Sequence, residues 1–227
     1  AYSKVRPMRA LVTGGGGFLG SGICRTLLAQ GHEVIALQRS EAPALAKLGV
    51  IVRRGDLGDP ETVTRAAIAC DVIFHVAAKA GHWGSHKDYF RANVEGTRHV
   101  LAACQVQNVS RLVYTSTPSA VHRGGDLEGV DERMPYARRF LAHYPATKAI
   151  AEREVIAANG PALATVALRP HLIWGPGDNH LLPRIVDRAR AGRLRFIGKP
   201  GKRIDTTYID NAVAAHLLAA DALQPGA

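Results

Sequence analysis

The sequence is short of acid. Against 29 Lys and Arg stand only 19 Asp and Glu, which leaves a formal net charge of +10. Such an excess of cation suits nucleic acid, an acidic ligand, or a plainly solvated surface. Aromatics are scarce as well, at 6%, and the basic residues are scattered rather than run together. The chain therefore lacks the interleaved basic–aromatic stretches on which single-strand binders stack bases. Nucleic acid is set aside in favour of a solvated surface and a phosphate-rich ligand. Cysteine is rare too: Cys24, Cys70 and Cys104 are odd in number, far apart and never paired as CxxC. That excludes a disulfide framework or a zinc knuckle and fits reduced core thiols in a cytoplasmic protein. The ten His residues show no HExxH or similar spacing, so no metal is expected. No apolar run approaches the roughly 20 residues needed to span a bilayer. Residues 1–7 carry no apolar signal core, do not begin with Met, and precede Met8, so they read as a tag remnant or loose extension.

What the sequence does contain is alternation. Short apolar runs at Arg9–Thr13, Val34–Leu37, Val50–Val52, Asp71–Val76, Arg111–Thr115 and Ala164–Leu168 read as strands. Helical patterns fall between them, including a long one over 86–107 and one from Tyr144 to about Ala158. Asp59 followed by Pro60 is a helix start, with an acceptor at the cap and a preset φ in the first turn. Continuous apolar strands alternating with helices predict an α/β fold, a doubly wound parallel sheet of the Rossmann type buried on both faces. Residues 8–170 are assigned to a dinucleotide-binding domain. Residues 171–227, where the pattern loosens, are assigned to an incomplete C-terminal substrate lobe interleaved with core-sheet elements. There, Leu182–Gly192 and Asp210–Ala220 read as helices, and Leu194–Ile197 and Thr206–Ile209 as short strands.

The run Thr13–Gly20 follows the first strand directly. It fits Gly15-x-Gly17-x-x-Gly20 and Gly14-x-x-Gly17-x-x-Gly20 equally, and in both the glycines let backbone approach a pyrophosphate at a helix N-terminus. Gly14, Gly17, Phe18, Leu19 and Gly20 are the expected contacts. The second strand ends in Gln38-Arg39-Ser40, without the acid that holds an NAD ribose diol. Arg39 and Ser40 could instead hold a 2′-phosphate, so NADP(H) is favoured over NAD(H). Gln38 on the ribose, with Glu41 nearby, is the NAD alternative. Asp56 and Leu57 are placed for the adenine. The small Ala77 and Ala78 should leave room for the cofactor where the strand order reverses. His75 fits a core-edge role and a binding role equally. Finally, Tyr144 and Lys148 are four residues apart on one predicted helix and share a face. A lysine cation beside a phenol is expected to lower the Tyr144 pKa and fit it for acid–base work.

These pieces, with Asn93–Thr97, Tyr114–Thr117, Arg169-Pro170 and Gly175–Gly177, resemble an extended short-chain dehydrogenase/reductase over nearly the whole chain, in particular the 3β-hydroxysteroid dehydrogenase branch. The likeness is strongest to its reductases of long 2-alkyl-3-oxo acids. The resemblance implies an NAD(P)-dependent oxidoreductase acting on a ketone or secondary alcohol of a small apolar or acyl substrate. Tyr144 would be the general acid, Lys148 would hold the nicotinamide ribose, and Thr117 would bind the substrate oxygen, with Ser116 the second candidate. Arg169 would lie by the nicotinamide. Asn93 would order water or cofactor, or only pack a helix. His82 and Trp83 would line the substrate mouth, or Trp83 would anchor packing. A homodimer through the helices at 86–107 and 144–158 is a further implication. Family members continue beyond the position of Ala227, so the substrate pocket is expected to be incomplete. Two competing readings on the same fold are a nucleotide-sugar epimerase or dehydratase, and a non-catalytic NADP(H)-sensing or RNA-binding protein.

Overall fold

A computed structural model describes residues 6–81, 83–179, 181–195, 201 and 203–225. Six parallel strands, β1 (Arg9–Thr13), β2 (Glu33–Gln38), β3 (Ile51–Arg54), β4 (Val72–His75), β5 (Arg111–Thr115) and β6 (Ala164–Leu168), form one sheet in the order β3-β2-β1-β4-β5-β6. The reversal falls between β1 and β4, where Thr13 pairs with His75.

Side chains alternate across each strand, and the two faces sort accordingly. Ala10 and Val12 of β1, Val34 and Ala36 of β2, and Val72 and Phe74 of β4 pack with Ile23 and Leu27 of α1 (Phe18–Ala29) and Val213 and Leu217 of α8 (Ile209–Ala222). Leu11, Ile35, Leu37, Ile73 and Leu112 face the other way. They meet Val63 of α3 (Pro60–Ala66), Val100 of α5 (Gly96–Val106) and Val155 of α6 (His143–Ala157). Full burial of each such side chain contributes roughly 1.5–3 kcal/mol. A sheet apolar on both sides is stable only between two helical layers, which explains why its strands lack a polar face.

Local signals explain most boundaries. Asp59 caps α3 by accepting from the Glu61 and Thr62 amides, with Pro60 in the first turn. Ser85 and Asp88 form a reciprocal capping box at α4 (His86–Phe90). The expected single helix over 86–107 is interrupted. Between α4 and α5, Arg91–Glu95 forms a π-helical turn, inside which Asn93 is buried. Such turns place a side chain where regular helix would not.

β3 begins one residue late and runs through Arg53 and Arg54, whose exposed side chains suit an edge strand. Two short elements were not expected: α2 (Pro43–Lys47) and β7 (Ile173–Trp174), which pairs in parallel with β8 (Thr207–Tyr208). The strand expected at Leu194–Ile197 is not formed at Leu194 and Arg195, and its last two residues lie outside the described residues. In α7 (Leu182–Arg190) no residue is buried. By contrast α8 packs on α1 and β5 and completes one face of the core. Cys24, Cys70 and Cys104 are free and buried, and burial pushes their thiols up to about 12, 11 and 12. Among the described residues no helix is long and apolar enough to cross a membrane.

Candidate active site

At the C-terminal edge of β1 the chain turns through glycines into α1. Gly14 has φ +68°, and a Cβ there would sit 2.9 Å from the Ala77 Cα. A Cβ on Gly20 would run into the Gly14 carbonyl. The turn is therefore closed against the β4 loop by the absence of side chains. Thr13 fastens the same junction, its hydroxyl accepting from the Ala77 amide at 3.1 Å and meeting His75 Nδ1 at 2.8 Å. His75 Nε2 lies 2.9 Å from the Thr97 hydroxyl. Burial, and then the charge on Lys148, push His75 down to about 3, so it sits neutral between two threonines. Its role is to join β1, β4 and α5. Asn93 holds the next stretch: its Oδ1 accepts from the Lys79 amide at 2.7 Å, while its Nδ2 donates to the Lys79 carbonyl and to Thr147.

The edge of the sheet fits a dinucleotide. Gly17 caps α1 with no side chain, leaving first-turn amides directed at the switch point, where a pyrophosphate would be held. Gly14 and Gly17 lie in this turn, and Phe18, Leu19 and Gly20 open α1. Gln38 packs against Gly16; its Nε2 donates to the Ser40 carbonyl at 2.8 Å, and its buried Oε1 has no partner. An orphaned acceptor beside a glycine turn is what a ribose hydroxyl would satisfy. Arg39 and Ser40 are exposed just beyond, and Glu41 is paired with Arg54 at 3.3 Å. Asp56 accepts from the Gly58 amide at 2.7 Å, and the Leu57 carbonyl lies 2.6 Å from His99 Nδ1. Ala77 is half-buried at the rim and Ala78 after it is exposed.

On the other side of the switch point α6 presents Tyr144 and Lys148, one turn apart. The Lys148 ammonium is buried, donates to the Thr115 carbonyl at 2.6 Å, and lies 4.0 Å from the Tyr114 ring centroid. Burial pushes it down to about 7, and the Glu152 carboxylate acts against that shift. Tyr144 meets the Thr117 hydroxyl. Contrary to the sequence expectation, its pKa is raised: burial outweighs the hydrogen bond from Thr117, and the Lys148 charge is spent on Thr115 and Tyr114. The phenol is thus held in its protonated form. Thr117 also accepts from the Ser119 amide at 3.2 Å. Ser116 donates to Glu152.

Sequence reasoning missed a buried cluster under these residues. Glu152 is fully buried, bonded to Ser116, to the Tyr136 hydroxyl at 2.9 Å, and to Arg169, whose Nε donates at 3.0 and 3.1 Å. Arg169, expected beside a nicotinamide, is clamped by this carboxylate. The signal was present: Tyr144, Lys148 and Glu152 recur every four residues along one face of α6. At the start of α6 a cleft of about 300 Å³ is lined by Trp83, Gly84, Phe140, Leu141 and His143. Trp83 and Leu141 stand almost wholly in solvent. His82 lies outside the described residues.

The sequence pattern of the 3-beta hydroxysteroid dehydrogenase/isomerase family matches residues 11–226. The chain belongs to that family. It is 56% identical to a 2-alkyl-3-oxoalkanoate reductase of Stenotrophomonas maltophilia, over 97% of this chain and 67% of the relative. It is 50% identical to a reductase of the same name from Shewanella oneidensis, over 93% of this chain and 56% of that one. The chain thus spans about two thirds or less of the length of these relatives. Among solved structures, UDP-glucose 4-epimerase of Thermus thermophilus in complex with NAD has a TM-score of 0.79 and 33% identity, over 96% of this chain and 76% of that one. The likeness to the Bordetella bronchiseptica enzyme WbmH, TM-score 0.82 at 21% identity, over 97% of this chain and 75% of that one, is one of fold alone.

Proposed function

We propose that this family member is a nicotinamide-dependent reductase of ketones on an apolar, acyl-chain substrate. The observation that carries the reading is the Tyr144 phenol, held protonated beside Thr117 and one helical turn from the buried Lys148. A nicotinamide, when bound, supplies hydride to the carbonyl carbon. Tyr144 then gives its proton to the carbonyl oxygen, so the C=O bond becomes a secondary alcohol and the phenolate is reprotonated from solvent. Thr117, bonded to Tyr144 and free of Glu152, is the donor placed to share the developing charge on oxygen. Ser116 is occupied by Glu152 and does not compete for that position. Lys148, one turn from Tyr144, would hold the nicotinamide ribose, while Arg169 supports the site from behind Glu152.

NADP(H) is the favoured cofactor. No free acid stands at the end of β2, since Glu41 is tied to Arg54, and Arg39 is open to a 2′-phosphate. The orphaned Gln38 Oε1 is what favours NAD(H) as the second choice. Two observations support an apolar substrate. Trp83 and Leu141 are exposed at the cleft by the start of α6, and the most similar relatives quoted are named for 2-alkyl-3-oxoalkanoates. The test is oxidation of NADPH and NADH with a long 2-alkyl-3-oxo acid, a 3-ketosteroid and a UDP-4-keto-sugar. Turnover of the oxo acid with NADPH is expected. Turnover of the sugar alone would replace this reading with the epimerase one.

A further inference from the structure

The Tyr144-Lys148 pair rests on a second ionic layer for which the proposed reaction has no direct use. Glu152 lies one turn below Lys148 on α6 and has no exposed surface. A carboxylate is buried at a cost of several kcal/mol unless paired and fully hydrogen-bonded. Here every side is occupied: Arg169 binds it through its fork, Tyr136 donates to Oε1, and Ser116 donates to Oε2. Ser116 precedes Thr117, and its amide donates to the Leu168 carbonyl at 2.6 Å. The carboxylate therefore ties α6 to the β5 exit, the segment that carries Thr117 to Tyr144.

We propose that Glu152 is a positioning residue of the site: its charge keeps the Lys148 ammonium ionised, and its bond to Ser116 holds Thr117 against Tyr144. The inference rests on the reductase reading for its consequence in turnover, but its electrostatic half stands on the free protein. The groups facing Lys148 from each packed element are few. From α6 come Tyr144 and Glu152, from β5 the Tyr114 ring and the Thr115 carbonyl, and from β4 the neutral His75. Arg169 and Tyr136 stand behind Glu152. Glu152, one turn away on α6, is the carboxylate that acts on Lys148 among the described residues, against the burial that pushes the ammonium down to about 7. Arg169 competes for the same charge.

Two substitutions should move Lys148 in opposite directions. In Glu152→Gln one oxygen still accepts from one hydroxyl and the new NH2 donates to the other, so Ser116 and Tyr136 can both stay bonded while the charge is lost. In Arg169→Met the carboxylate is left wholly to Lys148. The titration of lysine side-chain carbons is followed by NMR in the free protein, with Lys148 assigned by the signal lost in Lys148→Met. The Lys148 midpoint should fall by about one pH unit in Glu152→Gln and rise by a similar amount in Arg169→Met, the scale expected for a nearby charge. With substrate and NADPH, the alkaline limb of kcat should shift the same way, and acidification should restore turnover in Glu152→Gln. Simple misfolding would not respond in that manner. If Glu152→Gln does not fold, Arg169→Met carries the test alone. Midpoints that stay put, or move together, overturn the proposal. Opposed midpoints in a protein that turns over no ketone would keep the coupling and reject the reductase reading instead.

Discussion

At the scale of single residues, burial decides chemistry more than the nearest charge. Lys148 lies one helical turn from Tyr144, the spacing from which a depressed phenol was expected, yet its ammonium faces the Thr115 carbonyl and the Tyr114 ring. Spacing on a helix gives a shared face but not the direction of a long side chain, which is why this part of the site was not legible in the sequence. Arg39 presents the opposite case. Its position after β2 was readable, and its exposure leaves it free to meet a phosphate. Arg39→Ala should weaken NADPH binding by about 10-fold or more, the scale of a lost charge-assisted contact, and leave NADH within about twofold. Fluorescence titration of both cofactors checks this; equal weakening would show that Arg39 does not read the 2′-phosphate.

At the scale of elements, the strands were legible because they are buried on both faces and thus continuously apolar. β1, β5 and β6 occupy the residues that the pattern marks out. The interrupted helix over 86–107 was not legible. The cause is tertiary: Asn93 spends its side chain on Lys79 and Thr147, and the backbone opens into a π turn around it. Short elements such as α2 and β7 have too few residues to show a period. The glycine turn was legible as a motif, while its reason lies in the close contact of Gly14 with Ala77. Gly14→Ala combines a positive φ with that contact. It should cost about 1–3 kcal/mol of stability and abolish dinucleotide binding. Thermal melts with and without NADPH measure both effects. A variant as stable as the parent, with undiminished ligand-induced stabilisation, would contradict the described turn.

At the scale of the whole molecule, the site lies where six strands end and two halves of the fold meet, and a neutral base is buried there beside the charged Lys148 and Glu152. His75 is buried at the junction and pushed down to about 3. An unfolded chain takes up its proton near pH 6.5, while the folded one does not. The sign follows: the unfolded state binds more protons between these values, so stability falls as pH drops from about 6.5 towards 3. One such group contributes a slope approaching about 1.4 kcal/mol per pH unit. His75→Gln should make urea unfolding free energies less steep in pH by about that slope; an unchanged slope would mean that His75 is protonated in the fold.

The central claim is that Tyr144 delivers the proton in carbonyl reduction, and the most direct test is steady-state turnover of Tyr144→Phe beside its affinity for NADPH. Loss of the phenol should reduce kcat by about 100-fold or more, as for other positioned acids, with NADPH affinity within about twofold of the parent. Turnover close to that of the parent would contradict the account, because the Tyr144 phenol is the proton donor it assigns to the carbonyl oxygen.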